Sequence, residues 1–156
     1  MEMDKRRILI VDDEVGFTRV LRRDANMLTP YGKHILMIED EEPLARSVKW
    51  LLESAGFTVQ TELTGKGGLA YASEHRPDLV ILDIRLPDVD GYQVCRALRK
   101  LYRPWVVPVL MLTAMDKPVD QLRGFAHGTD AYLTKPFESS ELVQTVALLL
   151  DESVPT

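Results

Sequence analysis

From His34 onward, short aliphatic runs alternate with longer stretches in which apolar residues return every three or four positions. Five such strand and helix pairs can be counted, and the alternation predicts an α/β domain, a parallel sheet covered by helices on both faces. Ile35 to Ile38, Leu79 to Leu82 and, apart from Pro108, Val106 to Leu112 are continuous apolar runs, as strands buried on both faces must be. Phe57, Val59 and Thr61 alternate with polar residues and predict an edge strand. Ala131 to Leu133, between a Gly-Thr-Asp turn and Pro136, predicts the opposite edge.

The helices have readable faces and ends. Leu44, Val48, Leu51, Leu52 and Ala55 share one face, with Pro43 in the first turn and Gly56 as a left-handed stop. Val94, Cys95, Leu98, Leu101 and Tyr102 form a second face, Val119, Leu122, Phe125 and Ala126 a third, and Leu142, Val146, Leu149 and Leu150 a fourth. Thr64 to His75 carries Gly65, Gly67 and Gly68, each costing up to about 1 kcal/mol against alanine inside a helix, so a loose first turn is expected there.

Ahead of this pattern, Ile8-Leu9-Ile10-Val11-Asp12-Asp13-Glu14 repeats, 27 positions earlier, Ile35-Leu36-Met37-Ile38-Glu39-Asp40-Glu41, with four of the seven residues identical. Phe17, Val20, Leu21, Met27 and Leu28 continue at helical spacing up to a Pro30-Tyr31-Gly32 turn. The expected organisation is therefore a strand and helix extension over residues 1–33, a main domain over 34–150 and a tail over 151–156. Ile8 to Val11 is expected to pair with an exposed edge strand of its own or of a second molecule, which leaves a dimer open.

Composition narrows the class. At 156 residues, 46% hydrophobic and 28% charged, the chain is the size of one domain that needs no disulfide or structural metal. Cys95 is the single cysteine, and His34, His75 and His127 lack the spacing of zinc ligands, so a reducing, cytoplasmic setting is expected. No apolar run approaches the ~20 residues of a membrane span. A net charge of −5 without a basic stripe argues against direct nucleic-acid binding.

Chemistry is expected where parallel strands end, since an open α/β sheet leaves a crevice there. The first strand of the main domain runs into Glu39-Asp40, the third into Asp83, the fourth into Thr113-Ala114 and the fifth into Lys135-Pro136. A lone acid after a strand commonly just caps the next helix. Three carboxylates at one rim are different, because two unit charges ~4 Å apart repel by about 4 kcal/mol at an effective dielectric of 20. Lys135 supplies one positive charge, and a hard divalent ion such as Mg²⁺ would supply the rest.

Four segments together, ILMIEDEE from Ile35, DLVILDIRLPDVDG from Asp78, MLTA from Met111 and GTDAYLTKPF from Gly128, resemble the receiver domain of two-component response regulators. The resemblance implies a doubly wound, flavodoxin-like five-stranded sheet of order 2-1-3-4-5. It makes Asp83 the phosphoacceptor and Glu39, Asp40, Asp83 and the Arg85 carbonyl the Mg²⁺ ligands. Lys135, the Thr113 hydroxyl and the Ala114 backbone N–H would meet the phosphoryl oxygens, Lys135-Pro136 would be cis, and Thr113 with Tyr132 would form the switch. The family's acid pair precedes the acceptor by a little over forty residues, a spacing that Asp40 meets and Asp13 does not.

The function so implied is a stand-alone receiver, since only Asp151 to Thr156 follow Leu150. A histidine kinase or phosphotransfer protein would phosphorylate it, and it would hydrolyse its own acyl phosphate slowly rather than turn over as an enzyme. Its fourth helix, fifth strand and fifth helix would present an altered surface to a downstream effector protein. An aspartate-nucleophile, Mg²⁺-dependent phosphohydrolase is the alternative, yet such enzymes place a second aspartate two residues after the first, where Arg85 stands here. A binding module with vestigial phosphorylation usually lacks an acid or the lysine; both are here. Thr64-Gly65-Lys66 lacks the flanking residues of a phosphate loop. Cys95 reads as core, His75 as a helix end, Trp50 and Trp105 as packing or surface aromatics.

Overall fold

The computed structural model describes residues 32–101, 107–114 and 129–151, together with the backbone of 9–10. Among them are strands β1 (Leu9–Ile10), β2 (His34–Ile38), β3 (Thr58–Glu62), β4 (Leu79–Asp83), β5 (Val109–Thr113) and β6 (Ala131–Thr134). The described helices are α1 (Glu42–Ser54), α2 (Gly65–Glu74), α3 (Gly91–Leu101) and α4 (Ser139–Leu150). Tyr102, Trp105, the expected helix over Val119 to Ala126, His127 and most of the extension lie outside the described residues.

All strand pairs are parallel, in the order β1-β6-β5-β4-β2-β3. Counted from His34, the five main strands take the order 2-1-3-4-5, the doubly wound arrangement expected. β3 is an edge, as its alternation implied. β6 is not: Leu9 lies opposite Ala131 and Ile10 opposite Tyr132, so a two-residue strand flanks its outer side. The fourth main strand begins at Val109 rather than Val106; Pro108, which has no N–H, precedes it and gives its carbonyl to the Val80 amide at 3.0 Å.

Unbroken aliphatic runs are explained by the two cores they feed. Ile35, Met37, Ile81, Leu110 and Leu112 face α1 and α4, packing with Val48, Leu52, Leu142 and Val146. Their sequence neighbours Leu36, Ile38, Val80, Leu82 and Met111 face α2 and α3, packing with Ala72, Val94, Cys95 and Leu98. Successive residues point to opposite faces, so both must be apolar when both faces are covered.

The first turn of α2 is not loose. The Thr64 hydroxyl accepts from the Gly67 amide at 2.9 Å, and both Gly65 and Gly68 are buried. A Cβ on Gly68 would stand 2.3 Å from Ile38 Cδ1, and one on Gly65 2.3 Å from Val89 Cγ2. The glycines that lower helix propensity here let the helix touch its neighbours, and packing outweighs propensity.

Candidate functional site

Because β2, β4, β5 and β6 are parallel, their carboxyl ends meet along one rim. Glu39 follows β2, Asp83 closes β4, Thr113 closes β5 and Lys135 follows β6; its amide donates to the Thr113 carbonyl at 2.7 Å. Lys135-Pro136 is a cis peptide bond, as the resemblance implied. Glu39, Asp83 and Thr113 are buried, whereas Asp40 and Ala114 lie exposed at the rim.

The Lys135 ammonium donates to Glu39 Oε1 at 3.0 Å, Asp83 Oδ2 at 3.2 Å and Glu41 Oε1 at 3.4 Å. Residues 96 and 52 positions apart in the chain thus meet at one charge. Carboxylate oxygens of Glu39, Asp40 and Asp83 all lie within 4.8 Å of one another. Burial pushes the Glu39 carboxyl up to about 7, the charge of Asp83 pushes the same way, and Lys135 only partly offsets them. Burial also opposes the lysine charge, but the Glu39 hydrogen bond and the charges of Asp83 and Glu39 outweigh it and hold the ammonium above its ordinary range. A single cation does not satisfy three clustered carboxylates. Their hard oxygen donors, one of them exposed, fit a divalent ion of the Mg²⁺ kind that keeps part of its water shell.

The loop after Asp83 is tightly drawn. The Arg85 amide donates to Asp83 Oδ1 at 3.1 Å while its side chain faces solvent, and the Gly91 amide donates to the Ile84 carbonyl at 2.7 Å. A Cβ on Gly91 would stand 2.5 Å from the Asp83 carbonyl oxygen, so only glycine lets α3 begin there. Tyr132 is 3% exposed and packs in the α2–α3 core, deeper than the edge strand predicted over Ala131 to Leu133 implies. Beside Lys135, a groove of about 1110 Å³ is lined by Leu44, Trp50, Leu51, Ala114 and Phe137. Trp50, 70% exposed, is a surface residue of it.

Three acids escaped the sequence reading. Glu41 reaches Lys135 across 94 positions. Asp88 accepts from the Gly65 and Lys66 amides, each at 2.8 Å. Asp130, at the amino-terminal end of the sheet and away from the rim, accepts from the Val109 amide at 2.8 Å and from Arg99 at 3.2 Å. Only Asp130 had a local clue, its place in a turn just before a strand; the partners of the other two are set by tertiary contact.

A doubly wound sheet with an acid pair after one strand, an aspartate closing its neighbour, and a lysine before a cis proline defines a receiver-type signalling domain. The chain belongs to the response regulator receiver domain family, whose model matches residues 35–147. It is 45% identical over 116 residues to the DNA-binding dual master transcriptional regulator RpaA of Synechocystis, covering 74% of this chain and 48% of that protein. It is 39% identical over 122 residues to the alkaline phosphatase synthesis transcriptional regulatory protein PhoP of Bacillus subtilis, covering 78% of this chain and 50% of that one. The chain therefore spans about half the length of these curated relatives. A CheY-like receiver domain from Methanospirillum hungatei superposes with a TM-score of 0.72 at 31% identity, over 77% of this chain and 94% of that one. Phosphorylation on an aspartate is a general property of this family in two-component signalling, and its members generally bind Mg²⁺. No described helix is long and apolar enough to cross a membrane.

Proposed function

We propose that residues 34–150 form a phosphoacceptor unit in which Asp83 takes a phosphoryl group from a histidine kinase or phosphotransfer protein. The observation that carries this reading is the Lys135 ammonium held between Glu39 and the Asp83 carboxylate at 3.0 and 3.2 Å. An Asp83 oxygen would attack phosphorus in line as the phosphorus–nitrogen bond to the donor imidazole breaks and that nitrogen is released. A Mg²⁺ ion held by Glu39, Asp40, Asp83 and the Arg85 carbonyl would neutralise charge on nucleophile and phosphoryl group. Lys135 exchanges its hold on Glu39 for a phosphoryl oxygen, the Thr113 hydroxyl and the Ala114 amide meet the others, and Asp83 is kept in place by the Arg85 amide.

Arg85 stands where a hydrolase would carry its general acid, which favours a signalling acceptor over an enzyme. The apolar groove beside Lys135 offers the donor protein a dock from which its phosphohistidine reaches Asp83. The added phosphoryl charge would draw Thr113 inward and shift Tyr132, altering the β6–α4 side, with the helix expected over Val119 to Ala126, for an effector protein. A cytoplasmic setting, without direct nucleic-acid or membrane contact by this unit, follows from the same reading.

The test is incubation of the purified chain with a small-molecule phosphodonor, followed by intact-mass spectrometry. An 80 Da adduct that needs Mg²⁺ and disappears in Asp83→Asn supports the proposal. An adduct that survives that substitution, or none under any donor, overturns it.

A further inference from the structure

The Thr64-Gly65-Lys66 turn has the shape of an anion cradle, and its anion is internal. Asp88 Oδ1 accepts from the Gly65 amide and Oδ2 from the Lys66 amide, both at 2.8 Å, while the Val89 amide also donates to Oδ1 at 3.0 Å. The carboxylate takes two donors that helix α2 leaves open and sits at its positive end. These hydrogen bonds, led by that of Lys66, hold the Asp88 carboxyl below its ordinary range.

The clamp joins two parts that both reach the acid cluster. On one side, Gly68 lies against Ile38, and Glu39 and Asp40 follow Ile38 directly. On the other, Asp88 belongs to the segment between Asp83 and Gly91, whose ends are tied by the Gly91 amide on the Ile84 carbonyl. Arg85, the residue whose carbonyl is assigned to the metal, lies inside that span. The span is thus fixed at its base by Gly91 and at its outer bend by α2. Gly65 is needed for this, since its Cβ would stand 2.3 Å from Val89 Cγ2 and 3.3 Å from Asp88 Oδ1.

We propose that Asp88 is a positioning residue: by clamping the Asp83 loop to the first turn of α2, it holds the Arg85 carbonyl and Asp83 in register with Glu39 and Asp40 for the divalent ion. The proposal rests on the phosphoacceptor reading above.

The test compares the full chain with Asp88→Ala, Asp88→Asn and Thr64→Ala, following ¹⁵N-labelled amides during Mg²⁺ titration. Thr64→Ala removes the Gly67 cap from the same helical turn without touching the loop, and so controls for weakening of the helix alone. Asp88→Ala should expose the Gly65 and Lys66 amides to fast hydrogen exchange and weaken Mg²⁺ binding. Groups bonded directly to a metal ligand typically matter about ten- to a hundredfold, and Asp88 acts one step further out, so about three- to tenfold is expected. Asp88→Asn, which keeps one acceptor, should fall between, and Thr64→Ala should leave Mg²⁺ affinity unchanged. Released Gly65 and Lys66 amides with unaltered Mg²⁺ affinity, or an equal loss in Thr64→Ala, would overturn the clamp as a positioning device. Should Asp88→Ala not fold, the Asn variant decides by the same comparison. A wild-type chain that binds no Mg²⁺, or binds it equally well as Asp83→Asn, refutes the parent reading instead.

Discussion

Replacing Glu39 by glutamine should make the metal-free protein more stable while removing its response to Mg²⁺. Glu39 is 1% exposed, and in the folded chain its carboxyl keeps its proton up to about pH 7 instead of 4.5. Between these values the folded state binds a proton that the unfolded state has released, so stability falls as pH rises through the window. At about 1.4 kcal/mol per tenfold change in proton affinity, the ionised form costs about 3 kcal/mol above pH 7. Coulomb's law gives a similar scale: two charges within 4.8 Å repel by about 3 kcal/mol at an effective dielectric of 20, before Lys135 offsets part of it. A neutral isostere removes this cost. In EDTA at pH 8, Glu39→Gln should gain about 3 kcal/mol in urea denaturation, or roughly 6–12 °C in Tm. The gap should close below pH 4.5, where Glu39 is protonated in both states. Mg²⁺ should raise the wild-type Tm and leave the variant's unchanged. A variant less stable than wild type at pH 8, or a gap independent of pH, would refute the electrostatic account of this cluster. The confirmed pattern would mean that the rim holds repelling charge for its chemistry at the expense of the fold.

Three further outcomes follow from the geometry. Asp130→Ala strips an acceptor from the buried Val109 amide and a partner from Arg99, and should cost about 3 kcal/mol; an unchanged urea midpoint would contradict this. Gly91→Ala forces a Cβ to within 2.5 Å of the Asp83 carbonyl, so a loss of about 2–3 kcal/mol with weakened Mg²⁺ binding is expected by calorimetry, and normal stability would show that the loop yields. Trp50→Ala, at a site 70% exposed, should alter stability by under about 0.5 kcal/mol. It should slow phosphotransfer from a cognate kinase by about tenfold or more and leave labelling by a small phosphodonor unaffected; equal effects on both donors would remove the groove as a docking site.

Much of this protein was set by local order in the chain. Run length and period together separated strands from helices, and continuous runs such as Ile35 to Ile38 announced burial on both faces, because a strand's side chains alternate and two cores must both be fed. Pro43 by its fixed φ and Gly56 by its freedom to take a positive one marked the ends of α1, and the four rim motifs carry Glu39, Asp40, Asp83, Thr113 and Lys135 in the sequence itself. Tertiary structure decided what depends on approach through space. It turned the glycines of α2 from a weakness into a contact, because only a missing Cβ admits Ile38 and Val89. It placed Leu9–Ile10 beside β6, buried Tyr132 in the core and brought Glu41 to the lysine. It also handed Asp88 to the Thr64-Gly65-Lys66 turn, whose sequence lacks the flanking residues of a phosphate loop. A carboxylate's partner 22 or 94 residues away leaves no periodic trace, since hydrogen bonds and ion pairs depend on distance in space while sequence patterns report only neighbours along the chain.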